Sequence, residues 1–210
     1  MAIIERQGNY GLYYGNEYNS SNSLNLNQMK VNATYIYNYL KNKGWTLNAI
    51  AGLLGNMQSE SAINPGRWQS DNVGNLNLGY GLVQWTPATK YINWIGVAND
   101  PSKMDNNLSR IEYERQNNLQ WISTSLYPIS FNEFIVSTDT PETLASVWLK
   151  NYERAGVEVE SERRENARYW FEYLGGIIPP TPIKPKIKKP FNWVLYSNKI
   201  RKRNNLKSTF

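Results

Sequence analysis

A carboxyl group able to do acid chemistry stands at position 60. Residues Leu47 to Glu60 read as a helix whose apolar positions are Ile50, Leu53, Leu54 and Met57. At 3.6 residues per turn, residue 60 lies about 20° around the axis from residue 53. Glu60 therefore falls on the apolar face, at the C-terminal end of the helix. Partial desolvation there favours the protonated carboxyl, and the partial negative charge of a helix C-terminus pushes the same way. A carboxyl that keeps its proton can give it to a leaving oxygen, which is the task of a glycosidase acid. Periodicity alone leaves a second option open, a Glu that turns to solvent as the helix frays.

Composition narrows the chemistry further. The chain contains no His and no Cys. Nucleophiles of the Cys–His or Ser–His–Asp kind are therefore excluded, as is a zinc site of the usual His/Cys type. No cofactor is implied. Reactions that run on carboxylates alone remain, and glycoside cleavage is the leading example. Eight Trp and fifteen Tyr exceed what a core of this size needs. Such aromatics either line sites for sugars and other flat ligands or pack in the interior.

The net charge of +6 hides a division. Residues 1–183 carry 14 basic and 17 acidic groups, a net of −3, and nine Lys and Arg lie between Lys184 and Lys207. A nucleic-acid-binding domain would spread basic charge over a folded face, so nucleic acid is not an expected partner. No segment reads as a membrane span, and the start, Met1-Ala2-Ile3-Ile4-Glu5-Arg6, lacks the features of a signal peptide.

The elements that must position Glu60 follow from spacing. Residues 1–25, rich in Asn, Gly, Tyr and Ser, read as an extended N-terminal arm. A helix is expected from Leu26 to Lys43, with Gly44 past its end and Thr46 capping the next. Asn64-Pro65-Gly66 breaks that second helix. Residues 66–90 read as a loop or short hairpin. Ala88–Ile95 and Asp105–Leu126 read as helices, the second burying Leu108, Ile111, Leu119 and Ile122. Phe131–Val136 is a short apolar segment. Thr140-Pro141-Glu142 starts a helix with Leu144, Ala145, Trp148 and Tyr152 inward. A last helix opens near Ser161 and ends at Gly175-Gly176, with Ala167, Trp170, Phe171 and Leu174 inward. The domain so delimited spans 26–176. A Pro/Lys-rich linker, 177–190, and a basic aromatic tail, 191–210, follow it.

Two motifs stand out: Gly55-Asn56-Met57-Gln58-Ser59-Glu60-Ser61-Ala62-Ile63-Asn64-Pro65-Gly66 and Gly79-Tyr80-Gly81-Leu82-Val83-Gln84-Trp85-Thr86. Together they resemble the phage tail lysozyme family, in particular the lysozyme domain of tail-tip proteins of short-tailed phages that infect Gram-positive bacteria. The resemblance covers residues from about 26 to 174. Glu60-Ser61, Gly81-Leu82-Val83-Gln84 and Asn151-Tyr152-Glu153 are also similar, in order, to the three motifs of goose-type lysozymes and lytic transglycosylases.

The resemblance implies an all-α, lysozyme-like domain of six to eight helices with Glu60 as the catalytic acid. It implies Gln84 and Tyr152 beside the substrate, Ser61 in support, and Tyr80 and Trp85 as surfaces for sugar stacking. The third motif departs from the transglycosylase pattern in the Asn before Tyr152 and the Glu after it. The other reading of Tyr152 is a core residue below Trp148. A second carboxylate, if one acts, is Asp71 or Glu153. Retaining enzymes place it about 5–5.5 Å from the acid and inverting enzymes about 6.5–9.5 Å.

The activity implied is hydrolysis of the β-1,4 bond between N-acetylmuramic acid and N-acetylglucosamine in peptidoglycan. The setting implied is a phage virion whose tail penetrates the host wall; a late lysis enzyme is the other setting. A lytic transglycosylase giving 1,6-anhydro-muramic acid products and a non-catalytic wall-binding tail component are the rival activities. Tail-tip proteins of this kind also carry a metallo-endopeptidase domain. Without His to ligand zinc, these 210 residues are not expected to cleave peptide cross-links. The basic tail is read as docking onto phage tail proteins, as attraction to anionic wall polymers or a membrane surface, or as a disordered extension.

Overall fold

The computed structural model describes residues 3–16, 23–154 and 160–177. Seven α-helices and one two-stranded hairpin appear among them, an all-α fold with a small β element. The expected linker and tail, from residue 178 on, lie outside the described residues. No helix among the described residues is long and apolar enough to cross a membrane.

Residues expected to form an extended arm instead fold back on themselves. Strands β1 (Ile4–Gly8) and β2 (Gly11–Gly15) pair antiparallel, Ile4 opposite Gly15 and Gly8 opposite Gly11. Gly11 takes φ +108° at the turn, a conformation that side chains disfavour. The hairpin docks on helix α1 (Leu26–Lys41). There the Tyr14 N–H donates to Asn32 Oδ1 (2.6 Å) and Asn32 Nδ2 donates back to the Tyr14 carbonyl (2.7 Å). Tyr13 is buried while Ile4 and Leu12 stay exposed. No alternating apolar pattern marks these strands, because polar bonds to α1 do much of the holding.

Helix α2 (Leu47–Ser61) begins where the Thr46 hydroxyl accepts from the Ala49 N–H (3.1 Å). Every residue from Ala49 to Met57 is buried, so this is the central helix rather than a surface one. Its neighbours are α6 (Pro141–Trp148) and α7 (Glu160–Ile177). Glycines permit the approach. A Cβ on Gly52 would fall 2.9 Å from the Leu144 carbonyl carbon, and one on Gly55 would fall 2.4 Å from the Arg163 carbonyl oxygen.

Helix α6 starts as its sequence suggests, with the Thr143 N–H donating to Thr140 Oγ1 (3.2 Å) and Pro141 in the first turn. It continues into a π-helical turn, Leu149–Glu153. Helices α3 (Thr89–Ile95), α4 (Met104–Gln116) and α5 (Phe131–Val136) complete the shell.

The helix expected over Asp105–Leu126 stops at Gln116. Asn118 and Gln120 adopt φ +51° and +63°, and Leu119 and Ile122, expected inside, are exposed. Helical spacing persists in 117–126, but left-handed residues there end the ladder. Packing settles the use of the aromatics as well. Of the seven Trp in the described segments, Trp45, Trp68, Trp85, Trp148 and Trp170 are buried.

Candidate active site

A cleft of about 330 Å³ opens at the C-terminal end of α2. Glu60 lines it together with Arg67, Gln69 and Ser70 from one loop, Val83 to Thr86 from the next, Lys90 of α3, Gln120, and Tyr152 to Arg154 at the π turn. It falls within the size range of ligand sites.

Glu60 is half-buried, its side chain 22% exposed. It belongs to a buried triad. Arg163 Nη2 donates to Glu60 Oε1 at 2.5 Å, and Arg163 Nη1 donates to Glu153 Oε2 at 2.7 Å. The same Nη1 donates to Asn56 Oδ1 (3.0 Å). Asn56 is itself pinned, its Nδ2 donating to the Gly52 and Ala145 carbonyls. Trp148 Nε1 donates to the other oxygen of Glu153 (3.1 Å). The close approach at Gly55 brings Arg163 within reach of both acids.

The two carboxyls share Arg163. Glu153 lies within hydrogen-bonding reach of Glu60. Its side chain is 8% exposed. Burial and then the negative charge of Glu60 push the Glu153 carboxyl well above the usual carboxylate range, against the pull of Arg163. A negative charge so close makes ionisation of a buried carboxyl costly. The sequence placed the desolvation on Glu60 alone; the structure puts most of it on Glu153, with Glu60 on the cleft side and ion-paired.

The second motif forms a tight turn beside the pair. Tyr80 and Trp85 exchange backbone hydrogen bonds, with Trp85 N–H to Tyr80 at 3.0 Å. Gly81 at φ +84° and Gln84 at φ +50° close the turn between them. A Cβ on Gly81 would come 2.6 Å from Asn107 Oδ1, which accepts the Leu82 N–H (3.0 Å). The Ser61 hydroxyl donates to the Leu82 carbonyl (2.9 Å). The residue after Glu60 thus ties the acid's helix to this loop. Gln84 Nε2 donates to the Gly81 and Arg67 carbonyls (2.8 and 3.1 Å), so its acceptor oxygen is what remains for a ligand.

Beneath the turn lies an acid that sequence reasoning missed. Glu114 is buried and accepts from Trp85 Nε1 (3.0 Å), Arg110 Nε (2.9 Å) and the Tyr152 hydroxyl. Burial pushes its carboxyl up, and these hydrogen bonds oppose the push. For Tyr152, burial and the Glu114 carboxylate keep the phenol protonated.

Of the residues singled out in sequence, Glu60, Gln84, Trp85, Tyr152 and Glu153 come together at the cleft, and Ser61, Tyr80 and Asp71 do not line it. Ser61 is buried behind Glu60. Tyr80 is 1% exposed and faces a different hollow with Trp68 and Asp100, so the stacking surface expected of it is covered. Trp85 is also buried, its indole N–H spent on Glu114 and Tyr152. Tyr152 stacks on Trp148 with ring centroids 4.1 Å apart, so the reading of it as a core residue fits this placement. Asp71 is exposed beside the rim. Glu153, in contact with Glu60, leaves no space for a sugar ring between the two.

Arg163 was the other residue missed. A signal existed: Arg163, Ala167, Trp170 and Leu174 recur at helical spacing, placing a cation on the buried stripe of α7. Glu114 likewise extends the Leu108 and Ile111 face of α4.

A model of the phage tail lysozyme family matches residues 31–174. Over 162 residues the chain is 50% identical to "Morphogenesis protein 1" of Bacillus phage B103, covering 76% of this chain and 43% of that relative. The chain therefore spans less than half the length of the curated relative it matches.

Proposed function

Because the chain belongs to the phage tail lysozyme family, we propose that it is a peptidoglycan hydrolase cutting the β-1,4 bond between N-acetylmuramic acid and N-acetylglucosamine, with Glu60 as the acid. The observation that carries this reading is the carboxyl pair at the cleft wall. Burial and the negative charge of Glu60 favour a protonated Glu153, and Glu60, which would relay that proton, is the more exposed of the two. Glu60 passes that proton to the glycosidic oxygen as the bond breaks. Arg163, already bonded to both acids, stabilises the carboxylates left behind. Asn56 and Trp148 hold the pair in place.

Glu60 and Glu153 are the carboxyl groups lining this cleft among the described residues. Their contact is far shorter than the about 5–9.5 Å of two-carboxylate glycosidases. It supports a mechanism with one acid centre, in which a water attacks from the open side. The same observation favours a second reading, in which the sugar's own 6-hydroxyl attacks and a 1,6-anhydro product forms. Mass spectrometry of digested peptidoglycan separates the two: reducing-end muramic acid marks hydrolysis, anhydro-muramic acid the alternative. Glu60→Gln is expected to abolish clearing of purified walls. Clearing at the parent rate by that variant sinks the assignment, and wall binding without clearing by the parent points to a binding module.

Family and relative also support a setting in the virion tail, where the enzyme opens the host wall locally. Glycan strands are its substrate and other tail proteins its neighbours. Finding the chain in purified virions tests this against a role in late lysis.

A further inference from the structure

The cleft carries more positive charge than the chemistry uses. Arg67, Lys90 and Arg154 line it alongside the Glu60–Glu153 pair. None of the three forms an ion pair among the described residues, whereas Arg163, Arg110, Arg115 and Arg6 do. Arg67 donates one guanidinium nitrogen to Ser23 Oγ (2.9 Å), and Arg154 donates one to the Gln120 carbonyl (2.7 Å). Each neutral acceptor steadies a guanidinium and leaves its other N–H groups unspent, since a guanidinium has five. The pair of acids offsets little of this. Even fully ionised it carries two negative charges, and Arg163, bonded to both acids, cancels one of them. Three cations therefore face the cleft on a stretch, residues 1–183, whose overall balance is −3. Such local segregation of charge selects for an anionic ligand.

We propose that this wall is a subsite for carboxylates carried by the glycan strand, on the lactyl group of muramic acid or on the peptide extending from it. The proposal rests on the glycan-cleavage reading above and adds to it a preference for charged over neutral strands. Arginine suits a carboxylate because two of its N–H groups match the two oxygens. Lys90 contributes a mobile point charge. The catalytic pair needs nothing from these residues, so the subsite sets which strands are held rather than how the bond breaks.

The test compares peptide-stripped strands, whose lactyl carboxylates are free, with the same strands amidated to neutrality. For the parent, kcat/KM is expected to favour the carboxylate strands by about tenfold at low salt, and the preference should shrink as salt screens it. In the Lys90→Gln, Arg154→Gln double variant the ratio is expected to fall to within about twofold. Calorimetric binding of both strands to Glu60→Gln protein, with and without the double change, gives a readout independent of turnover. It separates failure of the subsite from failure of the catalytic assignment. Equal use and equal binding of the two strands by the parent, or a preference that survives the double variant, overturns the proposal. Soluble polyglycerol phosphate that displaces the carboxylate strands at a lower charge concentration than their own also overturns it, assigning the wall to polymer phosphate instead.

Discussion

Replacing Glu153 by Gln removes the carboxyl whose proton burial retains. The amide keeps the shape, and its oxygen still accepts from Trp148 Nε1, but it can neither ionise nor repel Glu60. At hydrogen-bond separation, about 3 Å, two ionised carboxylates at an effective dielectric of ~20 repel by roughly 5 kcal/mol. Arg163, bonded to both at 2.5 and 2.7 Å, offsets part of this, and burial of Glu153 adds to it. Glu153 in the parent therefore keeps its proton above the usual carboxylate range. The variant removes that raised carboxyl and leaves Glu60 beside Arg163. The alkaline limb of the kcat/KM profile should move toward acid by at least about one pH unit, which is ~1.4 kcal/mol. Activity near pH 7 should fall roughly 10- to 100-fold and recover toward the parent value on acidification. The assay is the initial rate of wall clearing across pH, with circular dichroism confirming the fold at each point. An alkaline limb that coincides with the parent's refutes a catalytic proton held at Glu153. So does a rate loss that is the same at every pH.

Three further outcomes follow from the geometry. Burial raises Glu153 and Glu114 above the ordinary value of 4.5 in the folded chain, so the stability each contributes is complete below that value and is lost as pH climbs above it. The Tm of Glu153→Gln should therefore gain on the parent as pH rises above about 4.5, and a constant difference would contradict this. Gly55→Ala drives a methyl group against the Arg163 carbonyl oxygen; a loss of about 1–3 kcal/mol in urea unfolding is expected, with a fall in activity as Arg163 shifts. Ser61→Ala removes the hydroxyl that reaches the buried Leu82 carbonyl and should lower stability by about 1 kcal/mol, with a smaller loss of clearing than at Glu60.

The parts of this molecule legible in its sequence are those whose cause is local. Thr46 and Thr140 announce helix starts because a cap needs one side chain and a backbone three residues on. The stripe of α2 locates Glu60, and Gly81 marks a turn that a side chain would obstruct. What was not legible depends on distant partners. The hairpin hangs on Asn32, 18 residues from Tyr14. Helical spacing puts Arg163 on the buried stripe of α7, yet nothing local identifies its partner Glu60, 103 residues away. Glu153 follows Tyr152 in the third motif, and the sequence reveals neither its burial nor its contact with Glu60. Residues 117–126 keep helical spacing while their backbone leaves the helix, so periodicity misled there.

The π turn after α6 has a consequence for how such a site is kept or lost. A π turn is an α-helix carrying one surplus residue, and each residue gained or removed swings everything beyond it by about 100°. Tyr152 and Glu153, adjacent in the chain, are thereby sent to separate partners, one to Glu114 and the other to Arg163. Losing a single codon within Leu149–Glu153 could leave a sound helix, yet it would swing Tyr152 from its core partners and turn the acid away from its companion. The geometry of this site is thus hostage to reading length as much as to residue identity, a vulnerability that substitution scans cannot detect.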